Sequence, residues 1–240
     1  MYKMENIIYG VHAVEEFVSS CPDRVNKVLL ASRRPKLEKL LRLYKIPFQR
    51  VPSLKVEELC KGLNHQGVVA LISPVPYSKL EDVSLDEKIV LALDGIEDPQ
   101  NLGAILRTAE AVGVKSVIIP SRRSSPLTSA VMKASSGAAV RLKIIRVNSM
   151  ASALKGLKDA GFWIIGSDVE KGIDYSEADY PFPSVLILGS EGKGMHRTIK
   201  ALCDMLVYIP IYGQVQSLNV SVAAGILLYE MTKRLRLKPS

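Results

Sequence analysis

Residues 93–114 read LDGIEDPQNLGAILRTAEAVGV. An apolar, β-branched run, 89–93, meets a turn at Asp98-Pro99-Gln100, and a helix-period stretch follows from Leu102 to Val112. The spacing predicts a buried strand, a turn, and a helix opening near Asn101, a residue type that caps helix N-termini. Arg107 and Glu110 stand three apart, on one face two turns in, where they can form a solvated ion pair. A loop that follows the C-terminal end of a strand is where open α/β sheets place their ligand crevices.

The same strand–turn–helix unit recurs along the chain. Strand-like runs fall at 27–31, 68–72, 89–93, 116–119, 140–145, 162–166, 185–188 and 206–211. Helix-period stretches fall at 11–19, 36–44, 56–63, 102–112, 149–160 and 220–236. Such alternation implies α/β layers around a mostly parallel sheet. The run 73–87, SPVPYSKLEDVSLDE, breaks the pattern with two prolines, polar residues and no periodicity. The expected organisation is a small α/β domain over 1–74, a linker over 75–87 and a larger domain over 88–240.

Charge changes across the break. Residues 1–80 hold 13 Lys+Arg against 7 Asp+Glu, whereas 81–240 hold 19 against 17. A small basic domain suits a polyanion, because each neutralised phosphate releases condensed counterions; a solvated surface explains the same excess. The 48% hydrophobic content is that of a globular chain with a real core. No apolar run approaches the roughly 18–20 residues that cross a bilayer, and the start lacks the pattern of a signal peptide. Cys21, Cys60 and Cys203 lie far apart with no CxxC spacing and no cluster of histidines, which argues against a disulfide framework or a metal site and for a reducing cytoplasm.

Two further segments bear chemistry. Residues 185–195, VLILGSEGKGM, end a fully apolar strand in Gly189, Gly192 and Gly194. Glycines there permit positive φ and close backbone approach by a ligand. Lys193 is followed by Gly194, so the Walker spacing is absent, and no GxGxxG follows, which disfavours nucleoside triphosphate and NAD. Residues 206–230, LVYIPIYGQVQSLNVSVAAGILLYE, run from a strand through a polar loop into a long helix. Ser217 or Asn219 can cap that helix.

Taken together, the three segments closely resemble the TrmH branch of the SPOUT superfamily, the 2′-O-ribose methyltransferases. The first motif is Asn101-Leu102-Gly103 with Arg107 and Glu110; the second is Leu188-Gly189-Ser190-Glu191-Gly192; the third is Ile209-Pro210 with Ser217-Leu218-Asn219. Residues 10–14 (GVHAV) and 65–68 (HQGV) resemble the accessory RNA-binding domain of the RlmB subgroup. The resemblance implies a catalytic domain tied in a trefoil knot and S-adenosylmethionine (AdoMet) as cofactor. It would be held by Leu188, Gly189, Gly194, Ile209, Pro210, Ser217 and Leu218. It further implies Arg107, Asn101, Glu191, Ser217 and Asn219 as catalytic residues, no metal, RNA as substrate, and a homodimer. A guanosine of large-subunit (23S) ribosomal RNA is the leading substrate; transfer RNA, or an inactive ribosome-assembly protein, are the alternatives. His12 and His65 are expected to serve fold packing, and His196 either packing or a contact with cofactor or RNA.

Overall fold

The computed structural model describes residues 7–73, 75–169, 171–190, 192 and 194–237. It divides into two compact units, one built from the chain up to Pro76 with residues 126–140, the other from 77–125 with 141 onward.

The first unit is a four-stranded sheet in the order β1 (Ile7–Tyr9), β4 (Val68–Ile72), β2 (Val25–Leu30), β3 (Phe48–Arg50). Strand β4 runs antiparallel to both β1 and β2, while β2 and β3 are parallel. Alternate residues Ile7, Tyr9, Leu29, Val69 and Leu71 share one sheet face and meet Val56 and Cys60 of α3 (Ser53–Cys60). Helices α1 (Val11–Ser20) and α2 (Pro35–Leu43) pack on each other and bury Val14, Phe17, Val18, Leu37 and Leu41. At roughly 1.5–3 kcal/mol for each large apolar side chain removed from water, these contacts dominate the stability of so small a unit. Residues 126–140 add the short helix α5 (Ser129–Ala134), which packs against β1, with Lys133 Nζ 5.0 Å from the Tyr9 ring centre. Nothing in the sequence assigned this segment to the first unit, because six residues of mostly small side chains show no amphipathic period.

The second unit is a seven-stranded sheet in the order β7 (Lys143–Val147), β6 (Ser116–Pro120), β5 (Ile89–Asp94), β10 (Ser184–Gly189), β8 (Trp163–Asp168), β11 (Met205–Tyr208), β9 (Ile173–Asp174). Every neighbouring pair is parallel. Strands β5 and β10 are buried at every position but the last, where Asp94 and Gly189 are half-buried, as parallel strands covered on both faces must be. Val90, Ala92, Val185 and Ile187 form a core with Leu154 and Leu157 of α6 (Met150–Asp159). Helix α4 (Pro99–Ala111) packs along α8 (Val220–Leu237), and α8 also touches β10. Helix α7 (Arg197–Lys200) is a single turn. Strand β10 enters between β5 and β8, and β11 between β8 and β9. Insertion of later strands between earlier ones is the interleaving that a knotted carboxyl-terminal half requires.

Several local expectations shift. Strand β7 begins at Lys143 rather than 140, because Ala138–Val140 forms a 3₁₀ turn. Strand β11 stops at Tyr208, before Pro210, whose missing N–H cannot continue a ladder. The short elements β1, β3, β9, α5 and α7 carried no periodic signal. Residues 77–87 run along the edge strand β7: Ser78 N donates to Ile144 O at 2.8 Å, and Arg146 lies 5.3 Å from the Tyr77 ring. Buried Glu87 pairs there with Lys143 at 3.1 Å.

Two glycines separate backbone strain from steric exclusion. Gly172 has φ +118°, and a Cβ there would lie 2.1 Å from Leu206 O; Gly113 has φ +88° with nothing within 4 Å. Gly113→Ala should lower unfolding free energy by about 1–2 kcal/mol, from left-handed strain alone. Gly172→Ala should cost more, roughly 2–4 kcal/mol, because main chain cannot yield. Equal urea-denaturation midpoints for the two variants would refute this reading of the β9–β11 contact.

Candidate active site

Strand β5 ends at Asp94, and Gly95 turns the chain with φ +86°, its missing Cβ leaving space for Ser190 at 3.3 Å. Helix α4 then opens one turn earlier than the sequence suggested. Its cap is Asp98, not Asn101: Asp98 accepts from Gln100 N and Asn101 N, both at 3.2 Å, and Pro99 occupies the first helical position. Proline suits that place because its absent N–H needs no partner.

Relieved of capping, the Asn101 side chain turns to α8. Asn219 Nδ2 donates to Asn101 Oδ1 at 3.0 Å, while Asn219 Oδ1 accepts from Ser221 N at 2.9 Å. Asn219 is therefore the cap of α8 and, through its other atom, the link to the first turn of α4. Ser217 is exposed and makes no capping hydrogen bond among the described residues.

The expected pairing of Arg107 with Glu110 does not form. Glu110 accepts instead from Arg141 Nε at 2.8 Å. Arg107 is exposed and makes no hydrogen bond or ion pair with the described residues. Helix α4 thus presents a cation with no counter-charge among the described residues.

The glycine turn after β10 closes on itself. Ser190 and Gly194 exchange backbone hydrogen bonds at 3.1 and 2.9 Å, with Gly192 and Gly194 at φ +82° and +65°. Gly189 needs its lack of a side chain for a different reason than a ligand's approach. A Cβ there would lie 2.1 Å from both Gly194 C and Met195 N, so the chain's own backbone fills that space. Glu191 lies outside the described residues. The exit of the turn is held by Asp94, whose Oδ2 accepts from His196 N at 3.0 Å. Asp94 was missed in the sequence, although a carboxylate ending a fully apolar strand is a readable signal. His196 is exposed, with Nδ1 2.9 Å from Thr198 Oγ1.

Register places the second and third segments on one edge. Gly189 pairs with Asp94, and Ile187 pairs with Gly166 of β8. Tyr208, just before Ile209, pairs with Asp168 of β8. Gly189 and Tyr208 thus flank Asp168 about two strand spacings apart, 9–10 Å. From Tyr208 the chain must reach Asn219, which is bonded to the helix that follows β5. Strands β8 and β10 lie between, so residues 209–218 cross the ends of both. That span is about 14 Å, well within the roughly 33 Å reach of ten residues. Ile209, Pro210 and Leu218 are half-buried in this crossing, and the Leu188 side chain is buried in the core.

A nucleoside cofactor needs hydrogen-bonding edges more than charge. Among the described residues, no backbone–backbone hydrogen bond engages positions 211–218, so this loop holds amides and carbonyls in supply above Gly189. The residues fit the cofactor that the resemblance implies. Cys203, beneath Gly166, is no rival nucleophile: burial pushes its thiol up to about 11.

The double role of Asn219 can be dissected. Asn219→Ala should lower stability by about 1–2 kcal/mol through loss of the cap. Asn219→Asp keeps the acceptor for Ser221 N and loses only the donor to Asn101, so its cost should be less than half of that. Chemical denaturation of both variants checks the order; an Asp variant as unstable as the Ala variant would contradict it.

Known families match both the amino-terminal and the carboxyl-terminal part of the chain. Residues 88–229 match the model of the SpoU rRNA methylase family, and residues 7–78 match that of RNA 2′-O-ribose methyltransferase substrate binding. A Staphylococcus saprophyticus protein assigned to the TrmH family of tRNA/rRNA methyltransferases is 42% identical, over 96% of each chain. An rRNA methyltransferase of Sinorhizobium meliloti, solved with AdoMet bound, superposes with a TM-score of 0.79 at 25% identity, over 97% of this chain and 88% of that one. The TrmH/SpoU tRNA-modifying enzyme of A. aeolicus, 30% identical, superposes with a TM-score of 0.57 over 62% of this chain and 76% of its own. On the family match over residues 88–229, and on the close relative that spans nearly the full chain, this protein belongs to the SpoU rRNA methylase family, the TrmH branch of RNA methyltransferases.

Proposed function

We propose that this protein methylates the ribose 2′-oxygen of a guanosine in large-subunit (23S) ribosomal RNA, using AdoMet, as a cytoplasmic homodimer. The observation that carries the reaction is the crossing of residues 209–218 over the ends of β8 and β10, above Gly189 and beside the Asn219–Asn101 bond. The first unit, with its inserted residues 126–140, would grip the substrate and the second would catalyse.

The preference for ribosomal RNA rests on the first unit. The A. aeolicus tRNA-modifying enzyme matches only 62% of this chain, whereas the S. meliloti rRNA methyltransferase matches 97%. The guanosine rests on the likeness of residues 10–14 and 65–68 to the RlmB subgroup. The dimer reading is supported by α8, where Val222 and Tyr229, seven residues apart on one stripe, are 50% and 61% exposed.

AdoMet supplies, when bound, a methyl group on a sulfonium that needs no further activation. The chain's own residues must then hold the cofactor, seat the ribose and manage one proton. Backbone groups around Gly189, Gly194, Ile209, Pro210, Ser217 and Leu218 would hold the nucleoside. Asn101 and Asn219 fix the start of α8 against α4 and thereby the far end of the crossing loop. Arg107, unpaired among the described residues, would clamp the developing alkoxide or the adjoining phosphate. A guanidinium is a poor base, so its service is electrostatic. Glu191, by resemblance, would orient that clamp or the glycine turn.

Labelled methyl from AdoMet, offered to total RNA, should appear on a 2′-O-methylguanosine of the large ribosomal RNA. A base-methylated product would overturn the ribose assignment, and label confined to transfer RNA would overturn the substrate. Arg107→Ala should keep AdoMet binding by calorimetry and lose turnover by on the order of a hundredfold; comparable turnover would remove Arg107 from the mechanism. Light scattering should read twice the 26.3 kDa chain mass, and Tyr229→Glu should shift it toward one chain; a wild-type mass of one chain ends the dimer reading.

A further inference from the structure

The first unit carries two clefts that share His12, Glu15 and Lys36, and so form one groove between α1 and α2. The part near the helix starts has a volume of about 530 Å³, and the part running toward their ends about 850 Å³. We propose that this groove grips a strand of the substrate RNA by its phosphates. The proposal rests on the reading of the protein as an RNA methyltransferase and names the surface through which the first unit serves it.

The two segments that the catalytic chemistry leaves unused, 10–14 and 65–68, meet at one end of the groove. Gln66 sits at φ +53°, a left-handed conformation that directs its side chain back to α1. Its Oε1 accepts from Val11 N at 3.0 Å, and its backbone carbonyl accepts from Arg34 Nη2 at 2.7 Å. Gln66 thus ties α1 to Arg34, the residue before α2. His65 steadies this turn: Nδ1 accepts from Gly67 N at 2.9 Å, which leaves the proton on Nε2 for Glu57 at 2.6 Å. His65 is a structural histidine, as expected. His12 is not, for its side chain is 92% exposed at the groove.

Charge selects the occupant. Positions 33–45 of the chain place Arg33, Arg34, Lys36, Lys39, Arg42 and Lys45 against a single carboxylate, Glu38. Glu38 is itself neutralised by Arg50 at 3.0 Å, and that guanidinium holds its carboxyl below the usual range. Lys36 and Lys39 are one turn apart on the exposed stripe of α2 and both line the groove. The α1 side contributes two carboxylates, Glu15, 3.6 Å from Lys36, and Glu16, against Lys36, Lys39 and Arg42 of α2 with Arg34 at the groove's end. Leu43, 72% exposed at the far end, offers an apolar surface to a base or ribose between phosphates. Alternating cations and apolar surface along an open groove is what a polyanion with flat, apolar bases requires.

The test uses the full chain and fluorescein-labelled fragments of total ribosomal RNA. Each phosphate contact on a single strand contributes about 0.7 to the slope of log affinity against log salt. Lys36→Ala/Lys39→Ala should therefore reduce the slope by about 1.4 and weaken binding about 25-fold at 0.1 M salt. Lys27→Ala/Lys55→Ala, the same charge change away from the groove, should leave both unchanged; thermal melting and AdoMet titration confirm that both variants are folded. RNA binding by the groove variant equal to wild type, or equally weakened by the control variant, overturns the proposal. So does RNA binding retained while affinity for poly-glutamate is lost, which would assign the groove to an acidic protein. Failure of the wild type to transfer methyl to RNA would instead strike the functional reading, and the binding comparison would still decide the groove.

Discussion

The parallel pairing of β10 with β5 is the constraint on which the second unit depends. Both strands are buried on both faces, so neither can satisfy its backbone with water, and each must find its partners in neighbouring strands. Once Gly189 is set opposite Asp94, every loop that follows a strand emerges on the same edge of the sheet. The glycine turn, the start of α4 and the crossing loop meet there because the ladder leaves them no other place.

Polar groups at this edge divide their labour by reach. Asp94 and Asp98 hold main chain: one pins the exit of the glycine turn, the other caps α4. Asn101 and Asn219 hold two helices together by one side-chain bond. Arg107 is left with no counter-charge among the described residues. Structural duties fall on groups that are satisfied internally, and the unsatisfied cation and the free loop amides remain for ligands. A site made largely of backbone also explains why close approach decides residue choice, as at Gly189, where main chain occupies the place of a side chain.

The first unit works on a different principle. Its sheet is small and mixed, and residues 126–140, far away in sequence, belong to it. Its polar residues split between an internal hinge of hydrogen bonds centred on Gln66 and His65 and an outward row of cations on α2. The excess positive charge of the amino-terminal third is thus concentrated within positions 33–45, on α2 and the residues that flank it.

The alternation of strands and helices, the parallel sheet and the three loop segments are legible in the chain alone, because hydrophobic period and turn residues are local properties. The sequence also held the true cap of α4, since Asp98 precedes a proline suited to the first helical position; that signal was available in the chain and outweighed by Asn101. Which polar groups meet is set by the folded chain. Glu110 finds Arg141 rather than Arg107, Asn101 finds Asn219 across more than a hundred residues, and Gly189 is pressed by its own following turn. Such choices depend on strand order and on which backbone fills a given space, and neither is written in the period of any one segment.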